Sequence, residues 1–291
     1  MVSAQSHAWG AGIYTAGDLT LTSSVVTKNH AVALSGAPYE IATGGGAWVN
    51  GTLYAKYTTF SENTAYQLNS AAPDGRGGAL YTTGTAQIES STFAGNTSNR
   101  CGGIKSIIGP LVISNSTISG NTATRGGGGI CGDQGVTLLN STVAFNTDSP
   151  GSGSLYGSGI AIWWNDATLE STIVANNAGS SDIGGSYNRT VFGSHNLVTS
   201  SELALPGDTL RTCAKLDQLA DNGGPTHTHA LLLGSVALDH GSNDTNLVHD
   251  QRGGDRVAGP FPDIGAFERQ TGAVDERIFA DDFEDSSDCS P

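Results

Sequence analysis

The amino-acid sequence predicts an all-β solenoid, a parallel β-helix with an irregular C-terminal cap. Three observations carry this prediction. A unit of Gly-Gly-apolar followed by Thr-apolar-x-x-Asn recurs six times. Apolar and polar residues alternate within each unit, which is the period of a strand. The chain of 291 residues contains 41 glycines and one methionine, and Thr, Ser, Val and Asn outnumber the residues that favour helix interiors.

Each repeat opens at a glycine and closes at an asparagine. A single unit of this size cannot bury its apolar side chains alone, so neighbouring units must stack to form a core. The opening motifs, in chain order, are Gly12-Ile13, Gly45-Gly46-Ala47, Gly77-Gly78-Ala79, Gly102-Gly103-Ile104, Gly128-Gly129-Ile130 and Gly159-Ile160. The closing residues are Asn29, Asn63, Asn96, Asn121, Asn146 and Asn176. We expect these asparagines to form a ladder, with left-handed turns at the corners and bonds to the next rung.

Two apolar columns are predicted to face the core. Their members are β-branched, aromatic or aliphatic, as inward strand positions require. One column is Val26, Phe60, Phe93, Ile118, Val143 and Ile173, and the other is Leu21, Ala55, Ile88, Ile113 and Leu138. The paired glycines are expected to allow tight bends or a close approach of neighbouring backbones.

The chain divides into three predicted regions. Residues 1–200 form the β-helix, with about six to seven coils, and residues 201–273 form a C-terminal capping region, because an exposed solenoid end needs a cap. Residues 274–291 form an acidic tail. Insertions at 36–44, 66–76 and 149–157 precede glycine motifs and are expected to protrude on one side of the solenoid.

Composition excludes several classes of function. The net charge of −14 disfavours a nucleic-acid partner, and no apolar run is long enough to span a bilayer. Nucleotide-binding and metalloprotease motifs do not occur. The first residues lack the pattern of a signal peptide, and we expect an expressed fragment of a secreted or cell-surface protein. We also expect it to be a monomer.

Four cysteines form an even set without a C-x-x-C pair, so zinc is a poor interpretation. We predict two disulfides, with pairing by proximity of Cys101 with Cys131 and of Cys213 with Cys289. Free buried cysteines are the alternative.

The repeat resembles that of polymorphic outer-membrane proteins, through the glycine pairs together with Phe60-Ser61-Glu62-Asn63 and Phe93-Ala94-Gly95-Asn96. The C-terminal third is similar to secreted bacterial β-helix proteins of the choice-of-anchor type, through the segments 221–226, 230–232, 250–253 and 263–268. These resemblances imply a right-handed parallel β-helix, a fold shared with pectate-lyase-like enzymes, and secretion. They do not define an activity.

Five residues are candidates for ligand binding. Arg76, Arg100 and Arg125 precede successive glycine pairs and could stack as a basic column suited to an acidic polysaccharide or cell-surface glycan. The alternative is that each arginine fixes its own loop. Trp163 and Trp164 are adjacent, so at least one is expected to face outward, where it could stack on a sugar ring or pack under a loop.

Weaker patterns suggest catalytic and metal sites. Lys56, Arg76, Tyr81 and Glu89 could supply the base and the charge neutralisation that a polysaccharide lyase needs. The simpler interpretation is that these are polar side chains exposed to solvent on the outer faces of the strands.

Asp239, Asp244 and Asp250 are part of an oxygen-rich group in the capping region that would suit calcium, although their spacing matches no calcium loop. Internal ion pairs around Asp250 are the alternative, and no cofactor is expected.

Two functional hypotheses follow. The first is an extracellular module that binds polysaccharide or mediates adhesion. The second is a polysaccharide-degrading enzyme, either a uronate-directed lyase or a glycosidase. A glycosidase needs two carboxylates facing one groove, and the outward acids of the coils share no column. This sparseness favours the first hypothesis.

Overall fold

The computed structural model describes residues 2–4, 7–34, 41–70, 73–149, 157–186 and 188–270. Within these ranges the chain contains strands and turns but no helix, and its strands stack in parallel as a right-handed β-helix. Each coil contributes strands to a set of stacked sheets, four of which contain six or seven strands. The predicted fold class is therefore confirmed.

The four large sheets are numbered here in the order in which the chain visits them after each glycine motif. The first sheet contains Ile13–Thr15, Ala47–Val49, Leu80–Thr82, Ile104–Ser106, Ile130–Gly132, Ile160–Ile162 and Ile183–Gly185. The second contains Leu19–Thr22, Leu53–Lys56, Ala86–Glu89, Leu111–Ser114, Val136–Leu139, Ala167–Glu170 and Val191–Ser194. The third contains Val25–Thr27, Thr59–Ser61, Thr92–Ala94, Thr117–Ser119, Thr142–Ala144, Ile173–Ala175 and Leu197–Val198. The fourth contains Val2–Ala4, His30–Ala33, Thr64–Gln67, Thr97–Ser98, Thr122–Ala123 and Thr147–Asp148.

Two small sheets complete the strands. Ala8–Trp9 pairs in parallel with Ala42–Thr43 just before the first sheet, and Leu216–Ala220 pairs with Thr228–Leu231 in the one antiparallel pair of strands among the described residues. We refer below to coil three (75–99), coil four (100–124), coil five (125–149) and coil six (157–180). The predicted insertions at 36–44, 66–76 and 149–157 lie partly outside the described residues.

The core of the solenoid is built from the predicted columns. Leu21, Ala55, Ile88, Ile113 and Leu138 occupy one register position of the second sheet. In the third sheet Val26, Phe60, Phe93, Ile118 and Val143 are aligned, and the two phenylalanine rings stack with centroids 4.7 Å apart. These residues belong to one continuous apolar cluster.

Coil six departs from the prediction by one residue. Val174, rather than Ile173, pairs with Val143 and enters the core, while Ile173 faces outward. The ladder position is likewise held by Asn177, not Asn176. Asn176 instead has a left-handed backbone, with φ of 57°. This is the corner position that Phe145 occupies in coil five, and asparagine tolerates its conformation better than most residues. The extra residue lies earlier in coil six, between the first and second sheets, because Ile160 pairs with Ile130, 30 positions before it, whereas Ala167 pairs with Val136, 31 positions before it.

The asparagine ladder is present and buried. The Oδ1 of Asn121 accepts hydrogen bonds from the backbone N–H and from the Nδ2 of Asn96, at 3.0 and 2.8 Å. The same two bonds join Asn121 to Asn146. The left-handed residue of each corner is the one before the ladder asparagine, such as Gly95, Gly120 or Phe145. The expectation that the ladder asparagines themselves take that conformation was wrong.

A second ladder, which the sequence analysis missed, lies at the corner between the second and third sheets. The backbone N–H of Ser91 donates to the Oγ of Ser116, and that of Ser116 donates to the Oγ of Ser141. The preceding residue in each coil, such as Ser90, Asn115 or Asn140, is again left-handed. Both corners thus use one left-handed residue followed by one side chain that accepts a hydrogen bond from the backbone of the preceding coil.

The glycine pairs bring neighbouring coils into close contact. A Cβ on Gly102 would lie 2.5 Å from the carbonyl oxygen of Thr122 and 2.6 Å from that of Gly128. Real Cβ atoms do not approach backbone oxygens so closely, so glycine is required where the fourth sheet returns to the first.

The C-terminal region has two parts. Ser201, Ala204 and Leu210 form bridges to the last coil, and Leu203 and Leu205 pack against the end of the core. Residues 211–270 then turn back and cover the outer face of the third sheet from coil three to coil six. Residues 271–273 and the predicted tail at 274–291 lie outside the described residues.

One glutamine fixes this returning segment to the solenoid. The buried Gln251 accepts a hydrogen bond from Thr117 Oγ1 at 2.6 Å, and its Nε2 donates to Thr92 Oγ1 at 3.0 Å. Both threonines face outward from the third sheet. Beside them an apolar cluster joins Ile173 of the sheet to Leu231, Ile264 and Phe267 of the segment. The segment is therefore held by both hydrogen bonds and apolar contact.

Ion pairs stabilise the segment internally. Arg252 and Asp250 are 2.7 Å apart, as the sequence analysis suggested, and Asp250 also accepts a bond from the backbone N–H of Gly254. Arg256 and Glu268 form a fully buried pair at 2.7 Å. Backbone groups satisfy most of the remaining donors and acceptors of this pair, since Arg256 donates to two carbonyl oxygens and Glu268 accepts two N–H groups. The Nε of Arg256 is buried without a hydrogen-bond partner. Removal of either partner of such a buried pair is strongly destabilising, because it leaves an uncompensated charge.

Removal of one carboxamide from the ladder should destabilise the fold strongly. Asn121→Ala leaves the buried N–H of Asn96 and the carbonyl of Phe93 without their partner, so we expect a loss of about 2–4 kcal/mol in the free energy of unfolding. Urea denaturation measures this loss. The exposed Asn165→Ala, which removes a bond between two surface side chains, is the matched control and should change stability by less than about 0.5 kcal/mol.

Acidification should loosen the returning segment through His229. This ring bonds the carbonyl of Asp217 and the Oγ of Ser119, and burial lowers its pKa from 6.5 to about 4. The unfolded chain therefore takes up the proton first as the pH falls. The contribution of His229 is complete above pH 6.5, and about 3 kcal/mol is lost as the pH falls from 6.5 towards 4.

Thermal unfolding of the parent and of His229→Gln across this pH window tests the assignment. The carboxylates titrate in both proteins, so the difference between the two curves isolates the histidine. We expect the parent to lose more stability than the variant. Parallel curves would show that His229 does not control the pH dependence.

Candidate functional site

The outer face of the first sheet carries both aromatic and charged side chains. One outward column runs along it, because residues in register on parallel strands share a face. From the first coil onward the column contains Tyr14, Trp48, Tyr81, Lys105 and Cys131. It thus changes from aromatic to charged between coils three and four.

A pocket of about 200 Å³ opens at the charged part of this face. It is bounded by coils three to six. Its lining residues are Arg76, Arg100, Cys101, Lys105, Asp133, Trp163 and Trp164. Four of the five predicted ligand-binding residues therefore meet at one site.

Arg76 and Arg100 lie side by side and share one acid. They form a parallel bridge between coils three and four. Asp74 accepts two hydrogen bonds from Arg76, at 2.9 and 2.5 Å, and lies 3.3 Å from the Nε of Arg100. The bonds to Asp74 raise the pKa of Arg76, although burial opposes this. Arg125 is half-buried, and its backbone N–H bonds the carbonyl of Asn99, but it does not line the pocket.

Lys105 forms the floor of the pocket together with Asp133. The lysine ammonium contacts the Asp133 carboxylate, and their side chains are only 8% and 16% exposed. The ring of Trp163 lies over the lysine, with its centroid 4.9 Å from Nζ. Burial lowers the pKa of Lys105 even though Asp133 and its hydrogen bond favour the charged form. Neither a role for Lys105 nor its pairing with Asp133 was predicted from the sequence.

The disulfide lies against the same wall. Cys101 and Cys131 are bonded, with Cα atoms 5.6 Å apart, which confirms the predicted pairing. The bond packs with Ala161 and the indole of Trp163 in a small apolar cluster. Trp164, the next residue, is 67% exposed at the rim. The second predicted pair includes Cys289, which lies outside the described residues.

An aromatic row leads along the face towards the first coil. The ring of Trp48 stacks on both Tyr14 and Trp9, with centroids 4.8 and 5.5 Å away. His7 continues the row at 5.2 Å from Trp9. Because the rings cover one another's faces, the row presents ring edges to solvent. The spacing of Tyr14, Trp48 and Tyr81 relative to the glycine motifs could have revealed this row from the sequence.

The candidate catalytic residues do not include a free base. Lys56 and Glu89 pair at 2.7 Å in the outward column of the second sheet, where the hydrogen bond to Glu89 raises the pKa of Lys56. Burial raises the pKa of Tyr81 on the neighbouring first sheet. Both groups therefore hold their protons more tightly than usual, which is the opposite of what proton abstraction requires.

The three candidate metal ligands have different surroundings. Asp250 is buried and occupied by Arg252 and by backbone N–H groups, whereas Asp239 and Asp244 are exposed. No group of three or more His, Cys, Asp or Glu residues in the described ranges is arranged to hold a metal ion. The described part of the chain also has no helix of the length and apolarity that would cross a bilayer.

Loss of the disulfide should weaken the wall of the pocket. Cys101→Ser with Cys131→Ser removes a link across 30 positions of sequence, which is worth about 3–4 kcal/mol in the chain-entropy account. Urea denaturation of this double variant, beside parent protein measured with and without reductant, gives the loss. Equal stability of the parent and the double variant would show that the coil contacts alone fix this wall.

Comparison with known proteins finds a repeat family that is similar to parts of this chain. Residues 57–83 and 115–133 match the family described as the Chlamydia polymorphic membrane protein repeat. The matched segments include the glycine pair of coil three and the ladder residues Asn63 and Asn121, so the likeness concerns the unit that builds the solenoid. They cover less than half of the chain. No curated protein and no solved structure gives a match.

Proposed function

We propose that this chain is a cell-surface or extracellular β-helix module that binds an acidic polysaccharide on the outer face of its first sheet. The observation that carries the proposal is the pocket at coils three to six, where cationic side chains and exposed indole meet. The similarity of the repeat to that of polymorphic membrane proteins supports a location at the cell surface. The predicted similarity to choice-of-anchor proteins agrees with this location.

The charge of the pocket differs from that of the rest of the chain. Arg76, Arg100 and Lys105 bring three positive charges, while Asp74 and Asp133 bring two negative ones. The chain as a whole carries −14. An anionic polymer is therefore repelled by most of the surface and finds a local excess of positive charge here.

The arginines retain capacity for a ligand. A guanidinium group has five N–H donors, and the ion pair of Arg100 with Asp74 is made through Nε at 3.3 Å. A ligand carboxylate can therefore bind remaining donors without displacing Asp74. Planar paired donors suit a carboxylate, which favours uronate-type sugars over neutral ones.

The indole of Trp164 supplies a second kind of contact. It is largely exposed at the rim of the pocket, where its ring can cover the apolar face of a sugar. A combination of one carboxylate contact and one stacked sugar predicts weak binding for a single site. Repeated sugars along a polymer would strengthen it through multiple contacts.

Binding to polygalacturonate, with its fully methyl-esterified form as the uncharged control, tests the proposal. We expect the parent protein to bind the acidic polymer at low salt, with affinity that falls as salt rises. Arg100→Ala and Trp164→Ala should each weaken binding about five- to tenfold. Lys28→Ala, which removes a largely exposed lysine far along the chain from the pocket, is the matched control.

Two results would contradict this function. One is equal binding of the acidic and esterified polymers, and the other is unchanged binding by both pocket variants. Thermal unfolding of each variant establishes that a loss of binding does not reflect loss of the fold.

A further inference from the structure

Among the described residues, two of the three lysine–carboxylate pairs that join neighbouring coils are partly or largely buried, and their surroundings differ. Lys56 and Glu89 are 29% and 32% exposed. Lys105 and Asp133 are 8% and 16% exposed and lie at the floor of the pocket. Glycan binding at the proposed site does not require Lys105 and Asp133 to be ionic. The burial of this pair therefore needs a separate explanation.

The surroundings of Lys105 exclude water on several sides. In its column the lysine lies between Tyr81 of coil three and Cys131 of coil five. The indole of Trp163 covers it from coil six. Two buried opposite charges lose much of their hydration, and transfer of one proton from the amine to the carboxylate removes that cost. The lowered pKa of Lys105 agrees with an amine that gives up its proton readily.

We propose that Lys105 and Asp133 condense to form an amide bond that joins coils four and five covalently. The two groups are already in direct contact, so the reaction has no cost of bringing them together. This inference goes beyond the proposed glycan binding and does not depend on it.

The reaction balances without any further reactant. A proton first moves from the ammonium of Lys105 to the carboxylate of Asp133 across their hydrogen bond. The neutral amine then attacks Cγ of the aspartic acid, and a bond forms between Nζ and Cγ. One Cγ–O bond breaks, and the hydroxyl leaves as water with a proton from the nitrogen. The guanidinium groups of Arg76 and Arg100 line the same pocket and favour the negative oxygen that develops during attack.

The product would leave the binding site intact. One positive and one negative charge disappear together, so the net charge of the pocket is unchanged. The disulfide between Cys101 and Cys131 joins the same two coils on the same face. The amide would keep the coils linked where the disulfide is reduced.

Mass spectrometry of the intact, reduced parent protein is the direct test. We expect a mass lower than that of the sequence by one water. After trypsin digestion, the peptides that contain Lys105 and Asp133 should remain joined, and cleavage after Lys105 should be absent. A mass of the folded parent equal to that of the sequence, with no loss of water, would overturn the proposal. Trypsin cleavage after Lys105 would overturn it as well.

Internal controls separate this bond from other losses of water. Trypsin should cleave after Lys56, whose more exposed partner Glu89 keeps both groups hydrated. Lys105→Arg and Asp133→Ala should each restore the full mass. A water deficit that persists in both variants, or that maps to one linear peptide, would identify a cyclised aspartate elsewhere and exclude the cross-link.

Discussion

The structure depends on keeping each coil in register with the next. Parallel backbone ladders supply most of the hydrogen bonds, but they do not by themselves prevent a slip by one residue. The corners do so. At one corner the carboxamides of Asn63, Asn96 and Asn121 bond one another, and at another the hydroxyls of Ser91 and Ser116 accept hydrogen bonds from backbone N–H groups of the preceding coil. A shift by one residue would leave these buried polar groups unpaired, which costs more than the strand contacts could recover.

Much of the solenoid could be predicted from the sequence because its coils repeat. The glycine motifs, the apolar columns and the Cys101–Cys131 pair follow from one alignment of the coils. The error at coil six has a simple cause. Ile173 and Val174 are both apolar, and Asn176 and Asn177 are identical, so the pattern accepts either register. The left-handed backbone of Asn176 decides between them, and no spacing rule reveals that conformation.

The parts that were not predicted arise from contacts between non-equivalent positions. Residues 211–270 have no repeat, so nothing in the sequence indicates that Gln251 reaches threonines of coils three and four. The pairing of Lys105 with Asp133 runs diagonally across two strands and depends on the exact bend after Gly132. Arg76 and Arg100 were predicted to share a face, but their common partner Asp74 lies in an insertion whose path the repeat does not specify.

The same geometry limits how the pocket can bind. Its arginines already have Asp74 as a carboxylate partner, which offsets part of their charge, so a ligand carboxylate bound to the remaining donors gains less than it would from two unpaired arginines. Ion pairs near the surface also contribute little because solvent screens them. The rings of Trp48 and Tyr14 cover each other's faces, so Trp164 is the exposed indole at the pocket. A site of this kind distinguishes acidic from neutral sugars modestly, and it becomes effective through many sugars on one polymer or many copies on one surface. The rigid coils beneath it suit that mode of binding, because they hold each pocket at a fixed place along the solenoid.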